Sequence, residues 1–274
     1  MRKVMIFFIL VCFITVCGCT ETEPKTGTDT PVTGQVTFAG STTLQPLAHE
    51  LGEAFKARHP DVVLDIAAGG SMVGIQAIHD GTVDIGMASR ALKSEETQGI
   101  TAHKVAVDVI AVVVQETNLV EALSLAQLRD IYLGKITNWR EVGGADLPIL
   151  VVVRGKNSGT RGAFDEIVLE KASPATSQMR TAPTAGDMAA AVVEDPAAIG
   201  YVGFGNLEPG LKLVAIDDVL PSEDAARDGS YQLVRPLLFL TGPLTQPLGQ
   251  RFVDFALSDA GQAIVQQSGW VPAQ

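Results

Sequence analysis

The chain has 274 residues, 46% of them apolar and 19% charged, enough material for a core divided between two lobes. Its net charge of −11 argues against a nucleic-acid partner and a polybasic membrane patch, so an anion site here must work through local dipoles and hydrogen bonds. All three cysteines, Cys12, Cys17 and Cys19, lie near the N-terminus, which excludes disulfides, zinc thiolates and a thiol nucleophile from the rest of the chain.

Arg2 and Lys3 precede an apolar run from Val4 to Val16. That is the order of a signal peptide, and the run is short for a membrane span. Val16-Cys17-Gly18-Cys19 resembles a lipobox. The resemblance implies a leader over residues 1–18, cleavage before Cys19 and acylation of Cys19; ordinary cleavage nearby and an uncleaved anchor are the alternatives. Residues 19–33 are Thr-rich and carry Glu21, Glu23, Pro24, Asp29 and Pro31, which reads as a flexible tether.

Residues 35–39 then read as a strand. Leu44, Leu47, Ala48, Leu51, Ala54 and Phe55 recur at helical spacing and stop before Pro60. Residues 62–66 form the next predicted strand, 72–78 a second helix and 83–87 a third strand. The nearly unbroken apolar run 104–115 fits a buried parallel strand or one that passes between lobes. Ser124 caps a predicted helix through Leu125, Leu128 and Ile131. A strand over 147–153 leads into a helix through Phe164, Ile167 and Val168. A helix at 187–193, strands at 199–204 and 236–241, and one C-terminal helix over 252–267 complete the reading. Alternating strands and helices predict an α/β fold with mostly parallel sheets flanked by helices.

Four junctions run a strand into small polar residues: Gly40-Ser41-Thr42-Thr43, Gly69-Gly70-Ser71, Met87-Ala88-Ser89-Arg90 and the loop from Arg154 through Lys156, Ser158 and Gly159 to Thr160. Each is expected to open a helix. The first N–H groups of a helix have no intrahelical partner and the dipole is positive there, so an oxyanion binds well. The plain alternative is that these hydroxyls are N-caps, worth about 1 kcal/mol each.

These junctions, with Asp84 to Arg90, Tyr132 to Trp139 and Ala198-Ile199-Gly200-Tyr201, resemble the phosphate-binding subunits of ABC importers, in their short form, across about residues 35–270. The resemblance implies a two-lobe, type II periplasmic-binding-protein-like flytrap with its ligand in the interlobe cleft. Lobe 1 would comprise residues 34–107 and 201–274, and lobe 2 residues 108–200. It implies no cofactor, inorganic phosphate as ligand, membrane permease subunits as partners, a monomer, and a lipid-anchored place on the extracytoplasmic face of the cell membrane. Ser41, Thr42, Thr43, Ser71, Arg154, Ser158, Gly159 and Thr160 match the family's anion-binding turns. Where longer members carry an aspartate for the proton of hydrogen phosphate, this chain reads Ser89-Arg90. Ser89 and Arg90 are therefore candidate ligands, and Asp108 and Asp84 candidate proton acceptors. The departure also admits another tetrahedral oxyanion: sulfate, molybdate or tungstate.

Enzymatic readings find little support. His49, His59, His79 and His103 are scattered, and neither a nucleophile elbow nor a Walker motif is present. An anchored phosphohydrolase or a phosphate sensor on the same fold stands as the alternative of another class. No catalytic residue and no metal site is predicted.

Overall fold

A computed structural model describes residues 32–273. The predicted leader, Cys19 and most of the tether lie outside them. The chain runs β1 (Gly34–Gly40), α1 (Gln45–Arg58), β2 (Val62–Ala68), α2 (Ser71–His79), β3 (Ile85–Ala88), β4 (Thr101–Gln115), β5 (Ala122–Leu123), α3 (Leu125–Tyr132), β6 (Leu150–Arg154) and α4 (Gly159–Ile167). It continues through β7 (Met179–Ala182), α5 (Ala185–Val193), β8 (Ala198–Gly203), β9 (Leu211–Leu213), β10 (Ala215–Ile216), α6 (Glu223–Arg227), β11 (Val234–Thr241), α7 (Pro247–Leu257), α8 (Asp259–Gln267) and β12 (Val271–Pro272).

The fold is mixed α/β, as expected. The main sheet has the order β2-β1-β3-β11-β4-β8-β6-β7. Its outer strands pair in parallel, β1 with β2 and β3, and β6 with β7 and β8. Around β4 the pairing is antiparallel. The long apolar run is thus the crossing strand of the two alternatives, not a parallel one. Its first part pairs with β11 as far as Val109, and from Ile110 it pairs with β8.

Buried apolar side chains form two main clusters on either side of that point. One joins Val36, Phe38, Leu47, Phe55, Phe239, Phe252 and Trp270. The other joins residues from Val109 to Leu233, with Tyr132, Trp139, Phe164 and Tyr201 among them. The sequence reading returns the chain to lobe 1 at residue 201. Tyr201, Val202, Val214, Tyr231 and Leu233 pack in the second cluster instead, so the packing changes over at β11, where Leu237 joins the first. β5, β7, β9, β10, β12 and α6 are too short to leave a periodic signal.

Two further expectations need correction. The junction after β3 opens no α-helix; only a three-residue 3-10 turn at Ser94–Glu96 follows. The predicted C-terminal helix is two helices. Ser258 turns extended between them and its hydroxyl accepts the Gly261 N–H, capping α8.

The C-terminal ends of β1, β2, β3 and β6 lead directly into the four junctions, the side of an open α/β sheet where ligands bind. Close packing of α2 fixes one of them. A Cβ on Gly74 would stand 2.7 Å from the carbonyl oxygens of Ala39 and Met87, so only glycine lets α2 lie on β1 and β3. Gly74→Ala is expected to cost about 1–3 kcal/mol through overpacking, measured by urea unfolding. A loss under about 0.5 kcal/mol, the scatter of surface substitutions, would contradict this packing.

Candidate functional site

The first junction leaves β1 through a turn held by the Ser41 N–H donating to Met87 O at 2.9 Å. Ser41 Oγ accepts the Leu44 N–H at 3.3 Å, which closes the turn ahead of α1, while its hydroxyl proton stays available. Thr42 and Thr43 lie between these anchors and α1. The second junction starts α2 at Ser71 after Gly70, whose φ of 91° requires glycine. Ser71 Oγ accepts the Ser89 N–H at 3.0 Å, which brings the third junction to the second. The fourth places Ser158 as N-cap of α4, its hydroxyl oxygen accepting the Arg161 N–H at 3.2 Å. The N–H groups of Gly159 and Thr160 stand ahead of that helix's own ladder.

Contacts between the junctions close into a ring. Thr43 Oγ1 and Thr160 Oγ1 share a hydrogen bond of 3.0 Å. Arg235 Nη2 donates to Thr43 Oγ1 at 3.4 Å and its Nη1 donates to Ser89 O at 3.1 Å. Ser89 Oγ lies 3.4 Å from Ser71 Oγ. Gly159 backs onto both serines: a Cβ there would stand 2.1 Å from Ser71 Oγ and 2.7 Å from Ser89 Oγ. Glycine is needed at 159 for this approach.

Arg154 stands beside the ring. It is only 2% exposed. Its Nε donates to Ala182 O at 3.2 Å, and its Nη2 donates to Pro183 O and Thr42 Oγ1, each at 3.0 Å. Thr42 Oγ1 also accepts the N–H of Ala185, the first residue of α5, at 3.3 Å. The backbone N–H of Arg154 donates to the Tyr201 hydroxyl at 3.2 Å. None of the ion pairs among the described residues includes Arg154, and its Nη1 meets no protein acceptor there. Burial pulls its pKa down to about 10, which leaves it a cation at neutral pH.

Ser41, Thr42, Thr43, Ser71, Ser89, Arg154, Ser158, Gly159 and Thr160 are thus brought together, from elements on both sides of the core division. Arg90 is not part of the ring. Its two terminal amino groups grip Glu96 at 2.7 Å each, because a carboxylate six residues on is the nearer anion. Asp84 lies at the other end of β3. It accepts from the Thr37 N–H and hydroxyl at 2.9 Å and from the Gln246 N–H at 3.3 Å, which ties β3 to β1 and α7. Asp108 does lie next to the ring but serves Arg235. Its Oδ2 accepts from Arg235 Nε at 2.8 Å and Nη2 at 2.6 Å, and its Oδ1 accepts the Phe204 N–H at 2.9 Å.

Arg235 was missed from the sequence. Its signal was there: a lone charge in the otherwise apolar run Val234 to Leu240. A buried strand carries such a residue only with a partner.

Residues 25–260 match the family model described as the PBP superfamily domain. The chain is 30% identical to the phosphate-binding protein PstS of Bacillus subtilis, over 99% of this chain and 94% of that one. The chain belongs to the PBP superfamily, and within it to the PstS family. A crystal structure from Clostridium perfringens, described as that of a phosphate ABC transporter substrate-binding protein with bound phosphate, is 39% identical. It superposes with a TM-score of 0.86 over 88% of this chain and all of that one. An ABC-type phosphate transport receptor from Vibrio cholerae is 28% identical, with a TM-score of 0.72 over 87% of this chain. The architecture expected from the resemblance, the type II flytrap, is therefore the fold of this chain.

The Asp108–Arg235 pair gives a test of the ring's support. Burial raises the Asp108 pKa, and the Arg235 charge opposes that rise. Arg235→Met leaves a buried carboxylate without its counter-ion, at an expected cost of about 3–5 kcal/mol near neutral pH. A carboxyl with a folded pKa above its unfolded value favours folding only while protonated. The deficit should therefore shrink as pH falls below the folded pKa and be complete above it. Urea unfolding of the variant and the parent at about pH 5 and about pH 8 checks this. A deficit equal at both pH values would contradict it.

Proposed function

We propose that the protein is a substrate-binding receptor that captures inorganic phosphate outside the cell and passes it to the membrane permease of an ABC importer. It needs no cofactor, works as a monomer and makes or breaks no bond. Acylated Cys19 holds it to the extracytoplasmic face of the membrane through the tether. Lobe 1 comprises residues 34–107 and 235–273 and lobe 2 residues 108–234, with β4 and β11 carrying the crossing.

The observation that carries this reading is Arg154. A buried guanidinium hydrogen-bonded to no carboxylate among the described residues is suited to an anion, and it already reaches across to Thr42 of the other lobe. The hydroxyls of Thr42, Thr43, Ser71, Ser89 and Thr160 supply donors of the right kind for a dehydrated tetrahedral ion. The names of its relatives support phosphate as that ion. Closure would follow from contacts that an ion makes with both lobes at once.

Arg154→Met is the direct test by isothermal titration calorimetry with phosphate. Losing charge-assisted hydrogen bonds at about 1.5–3 kcal/mol each should weaken binding by about a hundredfold or more. Thermal stability should hold or rise, because a desolvated cation is gone. Binding kept within about threefold of the parent, a difference below 1 kcal/mol, would contradict the proposal.

A further inference from the structure

The two sides of the core division also meet outside the ring. Asn157, one residue before Ser158, stands in the loop between β6 and α4 and reaches the turn between β2 and α2. Its side-chain Nδ2 donates to Gly69 O at 2.7 Å, and its own carbonyl oxygen accepts the Met72 N–H at 3.2 Å. The two bonds run in opposite directions between the same pair of segments. The second also completes α2: Met72 is the second residue of that helix, too early to find an acceptor within it.

The backbone on the far side is shaped for this approach. Gly70 has a φ of 91°, and a Cβ there would stand 2.6 Å from Asn157 O. A side chain at 70 would push the loop off α2. Asn157 itself is exposed, while Ser158 and Gly159 beside it are buried in the ring. Neither bond uses a ring hydroxyl or the Arg154 guanidinium, so the contact joins the two sides without competing with an ion for those donors.

Resting on the receptor reading above, we propose that Asn157 is a latch that keeps the two lobes shut on the bound ion and so sets how fast the ion leaves. An ion gripped from both lobes departs only when they part, and parting breaks the bonds from Asn157 to Gly69 and Met72. The side-chain bond belongs to the closed form alone. It slows release and contributes nothing to the first encounter, and Asn157 is uncharged, so its removal leaves the field around the ring unchanged.

Asn157→Ala removes the Gly69 bond and keeps the Met72 one. Release of radiolabelled phosphate from the full-length chain into excess unlabelled phosphate, followed by rapid filtration, tests the latch. Release should be about three- to tenfold faster than in the parent, the change expected for one hydrogen bond. Phosphate affinity by calorimetry should fall by the same factor, leaving the association rate unchanged. The melting temperature of the ion-free protein should stay within about 2 °C of the parent's, because the open form has no such contact to lose. Release less than about twofold faster overturns the proposal, and so does faster release at unchanged affinity. A larger fall in the ion-free melting temperature would make Asn157 a residue of the fold and overturn it too. Each of these results leaves the receptor reading standing, since the parent still binds phosphate. A parent that binds no phosphate would sink the two together.

Discussion

A guanidinium withdrawn from water, with no carboxylate hydrogen-bonded to it among the described residues and Asp187 acting on it only through its charge, sets the terms for this molecule. Removing an ion from water costs several kcal/mol even after the protein relaxes. Arg154 recovers part of that from two carbonyl oxygens and a threonine hydroxyl, which are dipoles and not charges. The deficit is held in place by architecture. β6 delivers the residue to the C-terminal edge of the sheet, Tyr201 takes its backbone N–H, and the carbonyls of Ala182, at the end of β7, and of Pro183 just after it hold its Nε and Nη2. A residue so fixed cannot turn away to water, and its guanidinium is oriented in advance.

The rest of the site depends on a second arginine that is neutralised. Arg235 meets Asp108 at the place where β4 exchanges β11 for β8 as its partner. The Asp108 carboxylate also takes the Phe204 N–H from just beyond β8, and Arg235 reaches back to Ser89 and Thr43. One buried pair thus holds the crossing strand, the start of the second cluster and two of the four junctions in register. Such a pair adds little net stability compared with an apolar one, but it specifies geometry closely. That is a reason for the chain to place a charge inside an apolar strand.

Much of this was legible in the sequence, and the exceptions have physical causes. Helix α1 announced itself through one apolar face from Leu44 to Phe55 and a stop before Pro60. The Ser, Thr and Gly residues of the first, second and fourth junctions come together in the structure through hydroxyl contacts and close backbone approach. Ser89 was found through its junction although no α-helix follows it, because it is the strand end and not the helix that carries it to Ser71. Arg90 and Asp84 were misread because their partners, Glu96 and Thr37, are fixed by tertiary geometry that spacing does not encode. The direction of β4 was equally hidden: an all-apolar run reports burial on both faces and says nothing of which way its neighbours run. The change of core at β11 instead of residue 201 follows from β9, β10 and α6, elements too short to leave a pattern.

A crystal structure of the protein grown with phosphate is the most direct measurement. The phosphorus should lie inside the ring, with an oxygen at about 2.7–2.9 Å from a terminal nitrogen of Arg154 and others facing hydroxyls or helix N–H groups of both lobes. Phosphate seated elsewhere, or Arg154 turned to a carboxylate while the ring stays empty, would contradict the central role given to that buried charge.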